Sequence, residues 1–79
     1  MMNDWMQYPK YKPAEDGLFL VSVKRPEGVK DFYFFKSIAK YDFDQDRWYR
    51  YESFNENPVG EIIQFDVVGW MELPGVFLG

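Results

Sequence analysis

The chain has 79 residues, a net charge of −4 and 22% aromatic residues, with neither cysteine nor histidine. One short chain makes one domain, and a fold of this size hides roughly 60–65% of its unfolded surface, enough for one modest core. Without cysteine there are no disulfide staples and no thiolate chemistry. Without histidine there is no serine–histidine relay, imidazole metal ligand or ordinary pH switch near neutrality.

Residues 1–16 read as an extended N-terminal arm, because Pro9 and Pro13 block helix propagation and favour extended geometry before them. Trp5, Tyr8 and Tyr11 should pin it to the domain. Ala14-Glu15-Asp16-Gly17 reads as a turn with Gly17 free to take positive φ. Leu18 to Lys24 is the first strand, apolar on both faces and therefore central. Arg25-Pro26-Glu27-Gly28 forms the next turn. Val29 to Tyr41, containing Phe32-Tyr33-Phe34-Phe35, is the longest β-prone run and should bend or carry a bulge. Asp42 to Asp46 breaks it as a five-residue loop, and Arg47 to Ser53 returns as a strand. A trial register sets Tyr41 opposite Arg47, Lys36 opposite Glu52 and Lys40 beside Trp48. Asn55 to Gly60 is a surface loop, and a last strand runs from Glu61 to Leu73 until Pro74 and Gly75 end it. The fold class expected is all-β: a four- or five-stranded antiparallel meander, as a curled sheet or small barrel, with the arm covering one face.

Charge is uneven along the chain. Residues 1–40 carry seven Lys/Arg against five Asp/Glu, whereas residues 41–79 carry two against eight. Complementarity between neighbouring strands explains this more simply than partner steering. The start of the chain lacks the basic and apolar regions of a signal peptide, and the longest strongly apolar run, Gly17 to Val23, is too short to span a bilayer. A soluble cytoplasmic protein without a membrane partner is expected.

Three groups of residues invite a chemical reading. Asp42, Asp44 and Asp46 alternate like the first ligands of a calcium loop, but Arg47 and Ser53 stand where that loop needs glycine and a bidentate glutamate. A solvated hairpin tip is the better reading. Asp66, between Phe65 and Val67, is the one carboxylate to name for glycosidase-type acid–base work, although alternation sends it to solvent. Lys30 to Lys36 is an aromatic strand flanked by lysines, loosely like sheets that stack single-stranded bases. Its expected place is the core, followed by a protein-binding face and then base stacking. Phosphate-binding glycine motifs are absent, and no catalytic residue, metal site or cofactor is expected.

Trp5, Pro13 and Glu15-Asp16-Gly17 leading into Phe19-Leu20-Val21, with the closing Trp70-Met71-Glu72-Leu73-Pro74, resemble the small proteins grouped as domain of unknown function 551. Ala39, Tyr41 and Trp48 fit the middle of that family's pattern. Gln7, Tyr8 and Lys12 depart from it, and Gly69 stands where the family usually has histidine. The resemblance implies a small soluble bacterial, phage or prophage-related protein with no established activity.

The aromatics exceed what an open four-stranded sheet needs to bury, and apolar excess generally marks an interaction surface. The expected function is therefore a non-catalytic module that binds an unidentified protein partner or self-associates as a homo-oligomer. Trp48, Tyr49, Tyr51, Phe32 and Phe34 are its candidate anchors by residue-type enrichment at interfaces. A single-stranded nucleic-acid binder is the alternative, disfavoured by net charge. A carboxylate-dependent hydrolase ranks last.

Overall fold

The computed structural model describes residues 5–52 and 54–73. Within them the chain forms six strands: β1 (Met6–Gln7), β2 (Gly17–Glu27), β3 (Asp31–Asp42), β4 (Arg47–Tyr51), β5 (Val59–Ile62) and β6 (Asp66–Glu72). They form one antiparallel sheet in the order β1-β6-β2-β3-β4-β5. The all-β expectation holds, but there are two strands more than a four-stranded meander. One comes from the arm, where Met6 and Gln7 pair with Trp70 and Gly69. The other comes from the last apolar run, which breaks at Ile63-Gln64-Phe65 into β5 and β6. Ser53, expected to end the third strand, and Pro74-Gly75, expected to end the last, lie outside the described residues. No described helix is long and apolar enough to cross a membrane.

The sheet curls without closing. Strands β5 and β6 are four neighbours apart in a sheet whose strands sit about 4.8 Å from one another, so a flat sheet would separate them by roughly 19 Å. The connection from Ile62 to Asp66 can span at most about 14 Å. The short link therefore demands a bend. On the opposite flank, Tyr8 at the end of β1 meets Trp48 of β4, ring centroids 5.5 Å apart, which the same bend makes possible.

Inside the curl lies the core. Val21, Val23, Ala39, Tyr41, Trp48 and Val67 are buried, with Tyr8, Phe19, Phe35, Ile63 and Trp70 packed around them. Pairing of Phe19 with Ala39 and of Val23 with Phe35 puts alternate residues of β2 and β3 on this inner face. The ladder between β2 and β6 shifts after Ser22, whose partner is Gly69, to Val23, whose partner is Val67. Val68 is thus the extra residue of a bulge, and its carbonyl accepts a hydrogen bond from the Tyr8 amide at 3.0 Å. Gly69 beside it is buried. A Cβ there would lie 3.4 Å from the Met6 carbonyl oxygen and 3.6 Å from the Trp5 ring, so glycine allows the arm to lie close.

The trial register is wrong by one residue. Tyr41 faces Trp48, Asp42 faces Arg47 and Lys40 faces Tyr49, while no β4 residue pairs with Lys36. The loop has four residues, not five. The Asp42 side chain accepts the amides of Asp44 and Gln45 at 3.1 and 3.3 Å, which tightens the turn and leaves Asp42 in the ladder. Asp46 then closes the loop at φ 55°, a left-handed conformation that aspartate tolerates. A one-residue slip exchanges the two faces of a strand, and this one carries Trp48 into the core. Two turns also move. The expected turn at Arg25–Gly28 forms at Gly28–Lys30, and the glycine with positive φ is Gly28 (80°), not Gly17.

Candidate functional site: an exposed aromatic hairpin and a closed corner

Strands β2 and β3 are the longest in the sheet, and their neighbours are too short to flank them. β6 pairs with β2 only as far as Lys24, and β4 pairs with β3 only from Ala39 onward. The distal part is therefore a two-stranded ribbon, and every residue from Arg25 to Phe34 is exposed. Phe32, Tyr33 and Phe34 keep 54, 50 and 58% of their surface in water. The expectation that this aromatic strand packs in the core is thus overturned for these three residues. Phe35, next to the core, is half-buried.

The ribbon has local order of its own. The Lys24 ammonium sits 4.0 Å from the Phe32 ring centroid, and the Arg25 guanidinium 5.5 Å from that of Phe65. Tyr33 stacks on Phe35 with centroids 5.9 Å apart. Lys24, Arg25, Lys30 and Lys36 outnumber Glu27 and Asp31, so this part of an acidic chain is locally basic. Beside the ribbon, on the inner side, a groove of about 380 Å³ is lined by Val23, Arg25, Phe35, Ser37, Arg50, Ile62 and Phe65, among others.

The second region is the corner where the arm meets the β3–β4 loop. Tyr8 and Tyr41 donate their hydroxyls to Asp46 Oδ1 at 2.7 and 2.6 Å, and Lys12 reaches Oδ2 at 2.7 Å. Burial alone would raise the Asp46 pKa, but these three donors outweigh it and pull it from 3.8 to about 2. Burial, reinforced by the Asp46 carboxylate, raises Tyr8 to about 12 and Tyr41 further. Near neutrality Asp46 is thus ionised and both phenols keep their protons, so none of the three is poised to exchange a proton.

This corner forms one wall of a cleft of about 470 Å³ that also includes Trp48, Ile62, Phe65 and Asp66. Asp46 and Asp66 therefore line one cleft. The Asp46 oxygens are already occupied, however, and its low pKa denies it the role of a protonated acid. Among the described residues the Trp48 indole N–H, buried here, has no hydrogen-bond acceptor; its nearness to Tyr8 lowers that phenol's pKa, a smaller effect than burial. Among the described residues no three carboxylates gather into a cation site.

Of the residues singled out as anchors, the structure brings Phe32 and Phe34 together on the outer side of the ribbon, two residues apart on β3. Tyr49 and Tyr51 are half-buried on β4. Trp48 is only 5% exposed and packs against Tyr8, Phe19 and Tyr41. It is a core residue, with only an edge showing in the cleft beside the corner. Sequence reading took Tyr33 only as part of the aromatic run and passed over Arg25, Phe65 and the Asp46 cluster. The lysines and arginine crowded around the Phe32–Phe35 run were the available signal for the first three; nothing local marked the cluster. Comparison with protein-family models, curated proteins and solved structures found no match.

Proposed function

We propose that the protein is a small β-sheet interaction module that contacts another protein through its projecting β2–β3 ribbon. The observation that carries this reading is the exposure of Phe32 and Phe34 on the outer side and Tyr33 on the inner side of a ribbon that neither β4 nor β6 flanks. Aromatic residues and arginine, here Arg25, are enriched at protein interfaces. The curled core supports the ribbon from one end, so its aromatics serve contact rather than stability.

Base stacking is the weaker reading, because Lys24 already covers a face of Phe32 and the chain is acidic overall. The test is site-specific photo-crosslinking in cells with a benzophenone amino acid at Phe34, using Phe43, also half exposed but distant in sequence on the β3–β4 loop, as control. Discrete protein adducts from position 34, absent from position 43 and lost on Phe32→Ser, are expected. Equal labelling from both positions would overturn the proposal.

A further inference from the structure

The free flank of β3 suggests how a partner binds. Among the described residues, β3 has β2 on one side throughout but β4 on the other only from Ala39 to Asp42. From Asp31 to Ile38 its second edge is unpaired, so alternate backbone amides and carbonyls face outward without a ladder. The adjoining groove of about 380 Å³ is floored by Val23 and Phe35 and edged by Arg25 and Arg50. An unpaired edge beside a groove is the geometry used when a peptide adds itself to a sheet as a further strand.

We infer that this edge binds an extended peptide of alternating apolar and acidic residues, added antiparallel to β3 along residues 32–38. This inference rests on the interaction-module reading above and specifies its partner. Alternation fixes the chemistry. Side chains of the added strand that point inward sit beside Phe35 and Ser37 and enter the apolar groove. Those that point outward sit beside Phe34 and Lys36, where a carboxylate meets an ammonium that has no ion pair among the described residues. Arg25 adds positive charge at the groove, whose other charged lining residues, Arg50 and Glu61, are of opposite sign. A second copy of this chain fits less well: joining two β3 edges would bring two locally basic ribbons together. A nucleic acid would leave the backbone edge unused.

The probe is an acetylated, amidated octapeptide of alternating glutamate and valine, with a lysine–valine peptide and a twelve-residue oligothymidylate as comparators. Binding is followed by amide shifts and hydrogen exchange of the isotopically labelled full chain. Expected is saturable binding of the glutamate peptide, with exchange slowed at least tenfold at every second amide between 32 and 38. Lys36→Glu, an exposed change that leaves the core intact, should weaken that peptide at least tenfold and make the lysine peptide the better ligand. No protection of β3 amides, protection without alternation, or binding of the oligothymidylate alone overturns the inference. Concentration-dependent protection without any peptide also overturns it, in favour of self-pairing. If the crosslinks from position 34 persist while the peptide fails, the module reading stands and strand addition falls.

Discussion

The closed corner and the projecting ribbon use the same residue types to opposite ends. At the corner, Tyr8, Tyr41 and Trp48 meet edge to face or tilted within 4.6–5.5 Å, and both phenols donate to one carboxylate. On the ribbon, Phe32, Tyr33 and Phe34 are at least half exposed although they belong to the same strand as Tyr41. What separates the two regions is flanking strands. Tyr41 has β2 and β4 on either side and the arm closing over it, whereas Phe32 has β2 alone. An aromatic side chain in a strand is thus core or contact according to how far its neighbours extend.

Substitutions should separate the two regions sharply. Trp48→Ala removes the central ring of the corner and should cost about 3–5 kcal/mol, a large share of the stability of a domain this small. Urea melts followed by circular dichroism measure it. Asp46→Ala leaves two phenols and Lys12 without their acceptor and strains a left-handed position; a loss of about 2 kcal/mol is expected. Asp46→Asn, which tolerates that φ and keeps one acceptor oxygen, should lose about half as much.

Acid tests the same carboxylate. Its folded pKa is depressed, so the stability it contributes is complete above pH 3.8 and disappears as pH falls through about 2. Because Asp46 is more than a third exposed, solvent screening keeps the effect small. Acid melts of the wild type and Asp46→Asn should therefore converge between those two values. At the alkaline end, Tyr8 should ionise at about 12 rather than near 10, where an ordinary phenol does. Its protonated form is the one that folding favours, so that contribution is present below pH 10 and fades towards 12. Absorbance titration of the wild type against Tyr8→Phe isolates it.

The smallest effect is expected on the ribbon. Phe32→Ser with Phe34→Ser should shift stability by less than about 0.5 kcal/mol, because exposed side chains away from caps and networks contribute little. A loss approaching that of Trp48→Ala would mean that the ribbon is packed in solution, and the contrast between the regions would collapse.

Much of the sheet was legible in the chain. Leu18 to Lys24, the aromatic run and Arg47 to Tyr51 announce themselves by β-branched and aromatic residues. The faces were not, because they depended on the length of one loop. Asp42 joins the ladder opposite Arg47 and Asp46 closes the turn in the left-handed region, so the connection is one residue shorter and Trp48 pairs with Tyr41 on the inner face. Nor was the Asp46 cluster visible, since its partners Tyr8 and Lys12 lie 38 and 34 residues away. Exposure of Phe32 could not be read locally either, because it depends on where β4 and β6 stop.

The clasp of the arm also orders the folding reaction. Strands β2, β3 and β4 pair with sequence neighbours across short turns, but β6 must find β2 some fifty residues back and the arm must find both β6 and Asp46. Loop closure over such distances is slow compared with hairpin formation. Folding should therefore begin in the β2–β3–β4 meander and finish when Tyr8 docks. Stopped-flow measurements should then show Ala39→Gly slowing folding, while Tyr8→Phe chiefly quickens unfolding.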